Sequence, residues 1–166
     1  MKWLTGIAVI SVLALYPQKI EAQVIVGTDQ HAESFRENIY GLGISGGAAT
    51  GLGVSFRAHF PSLLSVQVVG GIMKTSSVLS SSIGGQVQYD LVRGSSMRFF
   101  GAGGLSYYYS GDGVNNLKGP FRLGVGVGGE FLVRQSLSVT VEGMFTYFSD
   151  GVIVPLPELS IHYYFR

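Results

Sequence analysis

Residues 119–133 read "GPFRLGVGVGGEFLV". Gly124, Gly126 and Gly129 stand at the G-x-G-x-x-G spacing of a dinucleotide-binding loop, and Gly41, Gly43 and Gly46 in "GLGISG" repeat it. Such a loop needs its glycines to open a helix after a strand. Here Phe121, Leu123, Val125, Val127, Phe131 and Val133 share one parity, with Gly129 the only gap. The other parity carries Arg122, Gly124, Gly126, Gly128 and Glu130. That period of two is a strand with one apolar face. No helix-period run follows Gly129, so the phosphate-loop reading fails on context.

The alternation recurs along the chain. Tyr40, Leu42 and Ile44 share a face, as do Leu52, Val54, Phe56, Ala58 and Phe60. Leu64, Val66, Val68 and Ile72 follow, then Ile83, Val87, Tyr89 and Leu91, then Phe99, Leu105, Tyr107 and Tyr109. After residues 119–133 come Leu137, Val139, Val141, Phe145 and Tyr147, and finally Leu159, Ile161, Tyr163 and Phe165. These are eight strands, each near the roughly 9–11 residues that cross a bilayer at a tilt.

Composition explains why the strands need a membrane. Only 13% of the 166 residues are charged, against about 25% in soluble domains. The net charge of +1 offers no footprint for nucleic acid. There are 25 glycines and no cysteine, which excludes a disulfide framework and thiolate metal sites. Lys2 followed by the apolar run "WLTGIAVISVLAL" (3–15) reads as a signal peptide spanning 1–22, with cleavage after Ala22. Residues 23–38 form a polar lead-in, and 39–166 the single domain. No other run reaches the length of a transmembrane helix. A closed β-barrel is the remaining structure that satisfies its backbone inside lipid. The predicted fold is therefore all-β: an eight-stranded antiparallel up-and-down transmembrane barrel.

The connections supply an orientation. "PSL", "VRGSSM" and "RQS" are tight, whereas "KTSSVLSSS", "SGDGVNNLKGP" and "SDGVIVPLPE" read as looser, with the short "GGAAT" on their side. Short turns face the periplasm in outer-membrane barrels, which puts both termini there. Outward aromatics form two girdles. Tyr40, Phe60, Tyr89, Phe99, Phe131, Tyr163 and Phe165 mark the periplasmic end, and Tyr107, Tyr109, Phe121, Phe145 and Tyr147 the other.

With a signal peptide, eight alternating strands and the closing strand "LSIHYYF", the chain resembles the small outer-membrane barrels of the OmpA-transmembrane-domain and OmpX type. The likeness covers about Ile39 to Arg166. It implies residence in the outer membrane of a Gram-negative-type cell, in contact with its lipids. It also implies an assembly signal at Tyr163 and Phe165, read by the barrel insertion machinery. Here Arg166 follows the terminal aromatic, a departure from that pattern.

Parity also sorts the interior. Arg57, Asp90, Arg98, Glu130, Glu142 and His162 point inward and form a polar network that fills the lumen, since eight strands leave no room for an aqueous channel. A hairpin pairing Leu91 with Met97 sets Asp90 opposite Arg98, with Glu130 on the next strand. A narrow polar pore is the alternative. Toward the opposite end the inward positions are mostly glycine, which either relieves strand curvature or opens a cavity for a lipid or small ligand. In the first case Phe100, Tyr108, Met73 and Phe148 fill the space. Ser160, Glu142 and His162 do not make a catalytic triad. Ser160 and His162 are separated by about 6–7 Å along one strand, beyond the roughly 3 Å a nucleophile–base pair needs. The three histidines do not form a metal cluster, and no cofactor is implied.

On the lipid side, Gly70, Gly85, Gly101, Gly103 and Gly129 (with Gly143) leave a bare band. The same hairpin register sets Gly85 opposite Gly103 and Gly70 close to Gly85. Bare glycine marks close approach by another backbone, so these residues are a candidate docking groove, with apolar Val78, Leu79 and Val152–Val154 in nearby loops. Covering by Phe99 and Phe131 is the alternative. The function expected is a structural or accessory one: a non-enzymatic barrel, subunit or partner of a larger outer-membrane assembly. Lipid binding or lipid modification is the second reading.

Overall fold

The structure, a computed structural model, describes residues 38–75, 78–94, 96–134 and 136–165. The signal peptide, its cleavage site, all of the lead-in but Asn38, and Arg166 lie outside the described residues. The chain forms β1 (Ile39–Gly47), β2 (Gly51–His59), β3 (Leu64–Thr75), β4 (Val78–Arg93), β5 (Met97–Gly111), β6 (Phe121–Arg134), β7 (Leu137–Phe148) and β8 (Ile153–Phe165). Each strand pairs antiparallel with the next, and β8 closes on β1 to complete the barrel. Closure leaves the sheet without a first or last strand.

Burial follows the period of two, with the usual polarity reversed. Large apolar side chains such as Ile44, Val54, Ile83, Val125 and Phe145 are exposed on the outside. Arg57, His59, Gln67, Gln88, Asp90, Glu130 and His162 are buried inside. Buried apolar side chains are few among the described residues, and Ala49, Phe100, Ala102 and Met144 cluster. Water cannot solvate so continuous an apolar exterior, whereas hydrocarbon can.

The strands differ from the expected boundaries at the end away from the termini. "KTSSVLSSS" is mostly strand, since β3 runs to Thr75 and β4 starts at Val78. "SDGVIVPLPE" is a turn followed by β8 from Ile153. Val78, Leu79, Ile153 and Val154 therefore belong to strands. The long connection is Asp112–Pro120. Serine and proline mark loops in soluble sheets, but here Ser82 is buried toward the lumen and Pro155 and Pro157 lie on an unpaired flank of β8.

A second difference is register. The ladder shifts between Asp90 and Val92, so Leu91 is a bulge. Asp90 then sits opposite Phe100, and Arg98 opposite Arg93. Gly85 lies opposite Leu105 and Val68, not Gly103; Gly103 lies opposite Val87 and Val125. Gly70 pairs with Ile83. The hairpin closes with Arg93 opposite Arg98, three residues off the expected Leu91–Met97 pairing, and the bulge takes one of the three back; parity alone registers neither.

Candidate functional site

Arg57 of β2 is the hub of the lumen and is fully buried. Its Nε donates to Gln67 Oε1 at 2.9 Å, Nη1 to Thr140 Oγ1 at 2.8 Å and Nη2 to Ser160 Oγ at 3.0 Å. Nη1 also lies 3.3 Å from Glu130 Oε2, and Nη2 4.0 Å from Glu142 Oε1. One guanidinium thus ties β2 to β3, β6, β7 and β8. The planar fork of five donors makes arginine suited to this.

Arg98 is the second hub. Its Nε meets Glu130 Oε2 at 2.5 Å, Nη1 meets Asp90 Oδ1 at 2.5 Å, and Nη2 donates to Gln88 Oε1. The guanidinium also lies 4.5 Å over the Phe100 ring. Asp90 keeps its ion pair with Arg98 although Phe100, not Arg98, is its ladder partner. At the terminal end Arg93 Nε donates to Asp90 Oδ2 at 2.7 Å. His59 bridges the Ser65 and Tyr164 hydroxyls, each at 2.7 Å, and the Tyr164 hydroxyl donates to Glu130. The six sequence-predicted lumen residues are brought together, five of them in one ion-paired cluster.

His162 stands beside that cluster. Its Nε2 is 2.8 Å from Ser55 Oγ on β2, while Ser160 serves Arg57. The serine of this pair is not the one two residues away on the same strand. Ser55 and His162 are both fully buried. Glu142 accepts from Gln86 Nε2 at 3.0 Å and does not contact His162 among the hydrogen bonds of the described residues. No group of three metal-ligating side chains occurs among the described residues.

The opposite end of the lumen is closed by backbone. The β1–β2 turn, Ala48–Thr50, folds into the barrel mouth, with Ala49 and Thr50 buried. Glu158 of β8 holds it: Ala49 N–H donates to Oε1 at 2.7 Å and Thr50 Oγ1 to Oε2 at 2.6 Å. Ser106 Oγ donates to Ala48 O at 2.8 Å, and the Tyr108 hydroxyl donates to Gly47 O. Gly51 and Gly53, with φ of 108° and 144°, take backbone conformations that curl the start of β2 inward. Inward glycines make the seat. A Cβ on Gly84 would come 2.5 Å from Thr50 O, and one on Gly104 would come 3.2 Å from Thr50 Cγ2. The glycine-lined space, one of the two readings as a cavity, is thus occupied by this turn, with Phe100 and Met144 beneath it. Met73 does not fill the lumen; it is 63% exposed, because β2 gives it no neighbour.

Sequence reasoning missed Glu158 and the tucked turn. "GGAAT" carried one signal: a solvent-facing loop seldom lacks any charged or strongly polar residue.

The outward glycines divide. Gly129 is covered, a Cβ there lying 3.3 Å from both the Phe99 and Phe131 rings. Gly70, Gly101, Gly103 and Gly143 face open space. Gly101 and Gly143 flank Val127 in one cross-strand row. Gly85 lies against the Gln67 carbonyl. Tyr163 and Phe165 point outward at the terminal end.

The molecule is a closed, polar-cored barrel. No family model and no curated relative matches the chain. Among solved structures it is similar to the Yersinia pestis outer membrane protein Ail in a phospholipid bilayer nanodisc. That likeness has 12% identity and a TM-score of 0.45, over 78% of this chain and 99% of that one. It is also similar to a de novo designed transmembrane β-barrel, with 18% identity and a TM-score of 0.40, over 77% and 93%.

Proposed function

We propose that this protein is an integral outer-membrane barrel that works through its outer surface and conducts no solute. Both termini face the periplasm, and the Asp112–Pro120 loop faces out. The observation that carries this reading is the filled lumen: Arg57 and Arg98 at one end and the Glu158-held turn at the other. A through-path would require breaking buried ion pairs, which strongly destabilises. The exposed apolar exterior between aromatic girdles supports membrane residence. This reading includes a structural or accessory role in an outer-membrane assembly, and the burial of Ser55 and His162 supports one without a catalytic step.

Two measurements test this. The detergent-extracted protein should shift on a gel with heating, and planar bilayers containing it should show no steady conductance. A sizeable steady current would overturn the closed-lumen reading. The accessory role is tested at the bare face of β5: Gly101→Trp and Gly103→Trp should lower recovery of a co-purifying outer-membrane protein. Unchanged recovery would remove that face as a docking surface.

A further inference from the structure

The barrel wall is uneven. The β1–β2 hairpin ends at Gly47 and Gly51, and the β1–β8 ladder stops at Gly46–Leu159. β8 nevertheless continues through Ile153–Glu158, paired on its β7 side only. Across the hairpin, β3 runs on through Gly71–Thr75 past its last β2 partner, the Val54–Gly70 pair. A notch therefore opens in the wall between β8 and β3. Its width is three inter-strand spacings, roughly 14 Å. Pro155 and Pro157 lie on its β8 flank, where a missing N–H donor costs nothing. Pro155 pairs with Phe145 and Pro157 with Gly143, below Tyr147 of the outer girdle, so the notch reaches the lipid band.

Two features converge on it. Directly beneath, on the outside, Ile44, Gly46, Leu52, Val54, Leu159 and Ile161 line an apolar groove of about 480 Å³, within the roughly 300–1,000 Å³ of ligand sites. Across the barrel mouth, on β6, the Arg122 guanidinium lies 3.8 Å over the Tyr108 ring and 4.8 Å from the Phe148 ring. The Tyr108 hydroxyl reaches Gly47 at the lip of the notch, so the cation stands one tyrosine ring from it. Arg122 donates from Nε to the Gly119 carbonyl at 3.4 Å and has no carboxylate within ion-pair distance among the described residues. The nearby Asp150 carboxylate accepts from the Val152 amide.

We propose that the notch binds a phosphate-headed amphiphile of the outer leaflet, with the phosphate at Arg122 and an acyl chain in the β8–β1–β2 groove. Charge complementarity selects the head, because a partly desolvated guanidinium pairs strongly with phosphate. The aliphatic lining and the opening toward lipid select the tail. This inference rests on the barrel being membrane-embedded.

The test is native mass spectrometry of the full-length protein in a non-ionic detergent, offered phosphatidylglycerol, diolein or oleate. Wild type should retain phosphatidylglycerol about tenfold better than diolein, the ratio that ~1.4 kcal/mol gives. Arg122→Gln should abolish the preference and Arg122→Lys keep most of it. Gly46→Trp should also lower retention by filling the groove; a Cβ there meets only Leu52 Cδ1 at 3.4 Å, an ordinary contact. Should Gly46→Trp not fold, the two Arg122 variants decide. Equal retention of phosphatidylglycerol and diolein by wild type would overturn the site, as would undiminished retention in Arg122→Gln. Oleate retained as well as phosphatidylglycerol would overturn the phosphate assignment. Displacement of the lipid by millimolar inorganic phosphate would make it a free-phosphate site and overturn the amphiphile. A heat-modifiable, non-conducting barrel without lipid preference sinks this inference alone. A protein that stays in solution without detergent sinks the membrane reading with it.

Discussion

Arg57 concentrates the interior electrostatics of the barrel in one side chain. It touches acceptors on four other strands and lies beside Glu130 and Glu142. Arg57→Ala leaves two buried carboxylates with less compensation and should cost about 3–5 kcal/mol, the range for breaking a buried pair. The urea midpoint of the folded-to-unfolded gel shift in lipid vesicles measures it. Arg57→Met with Glu130→Leu should cost less than Arg57→Ala alone, because no uncompensated charge is left at Glu130. A double variant as weak as the sum of its singles would show the pair to be uncoupled. The inward direction of Arg57 was legible from parity with Val54 and Phe56. Its partners were not, because they come from strands up to about a hundred residues away in sequence.

The β1–β2 hairpin shows the same division at the level of an element. Its alternation, from Tyr40 to Ile44 and from Leu52 to Phe56, placed both strands. Its turn gave no sign that Glu158, on the last strand, would bind it. A hydrogen bond to a charged carboxylate contributes about 1.5–3 kcal/mol. Glu158→Ala should therefore speed hydrogen exchange at the Ala49 amide by at least about tenfold, with the Arg57 region unchanged. An Ala49 amide that exchanges as slowly in the variant would mean that the glycine seat alone holds the turn. Gly104→Val tests the seat separately. Its added carbons meet Thr50 and the Ala49 carbonyl, so the turn should be displaced and Ala49 should exchange fast even with Glu158 intact.

For the whole molecule, the physical claim is that the outside is solvated by hydrocarbon. Val125 sits midway along β6 and Val133 near its terminal end, both facing out. Val125→Arg should destabilise the barrel in vesicles by about 2–4 kcal/mol, and Val133→Arg by about 0–1, following depth in the bilayer. Equal costs at the two positions would contradict a membrane band centred near Val125. The same geometry fixes the uneven rim: β4 and β5 are the longest strands, with 16 and 15 residues, while β1 and β2 have 9 each.

The stretch "GPFRLGVGVGGEFLV" determined its own faces. Phe121, Leu123, Val125 and Val127 lie outside, and Gly124, Gly126, Gly128 and Glu130 inside. Strand number, antiparallel order and the polarity of both surfaces follow from such alternation, because a pleated strand turns successive side chains to opposite faces. Tertiary structure decided what alternation does not encode. The β4–β5 hairpin closes with Arg93 opposite Arg98, and with the Leu91 bulge this sets Gly85 opposite Leu105 instead of Gly103. The closing of β8 on β1 brought Glu158 to the "GGAAT" turn and Ser55 to His162. Parity is a local property of each strand, whereas register and contacts across the lumen are set only when all eight strands close.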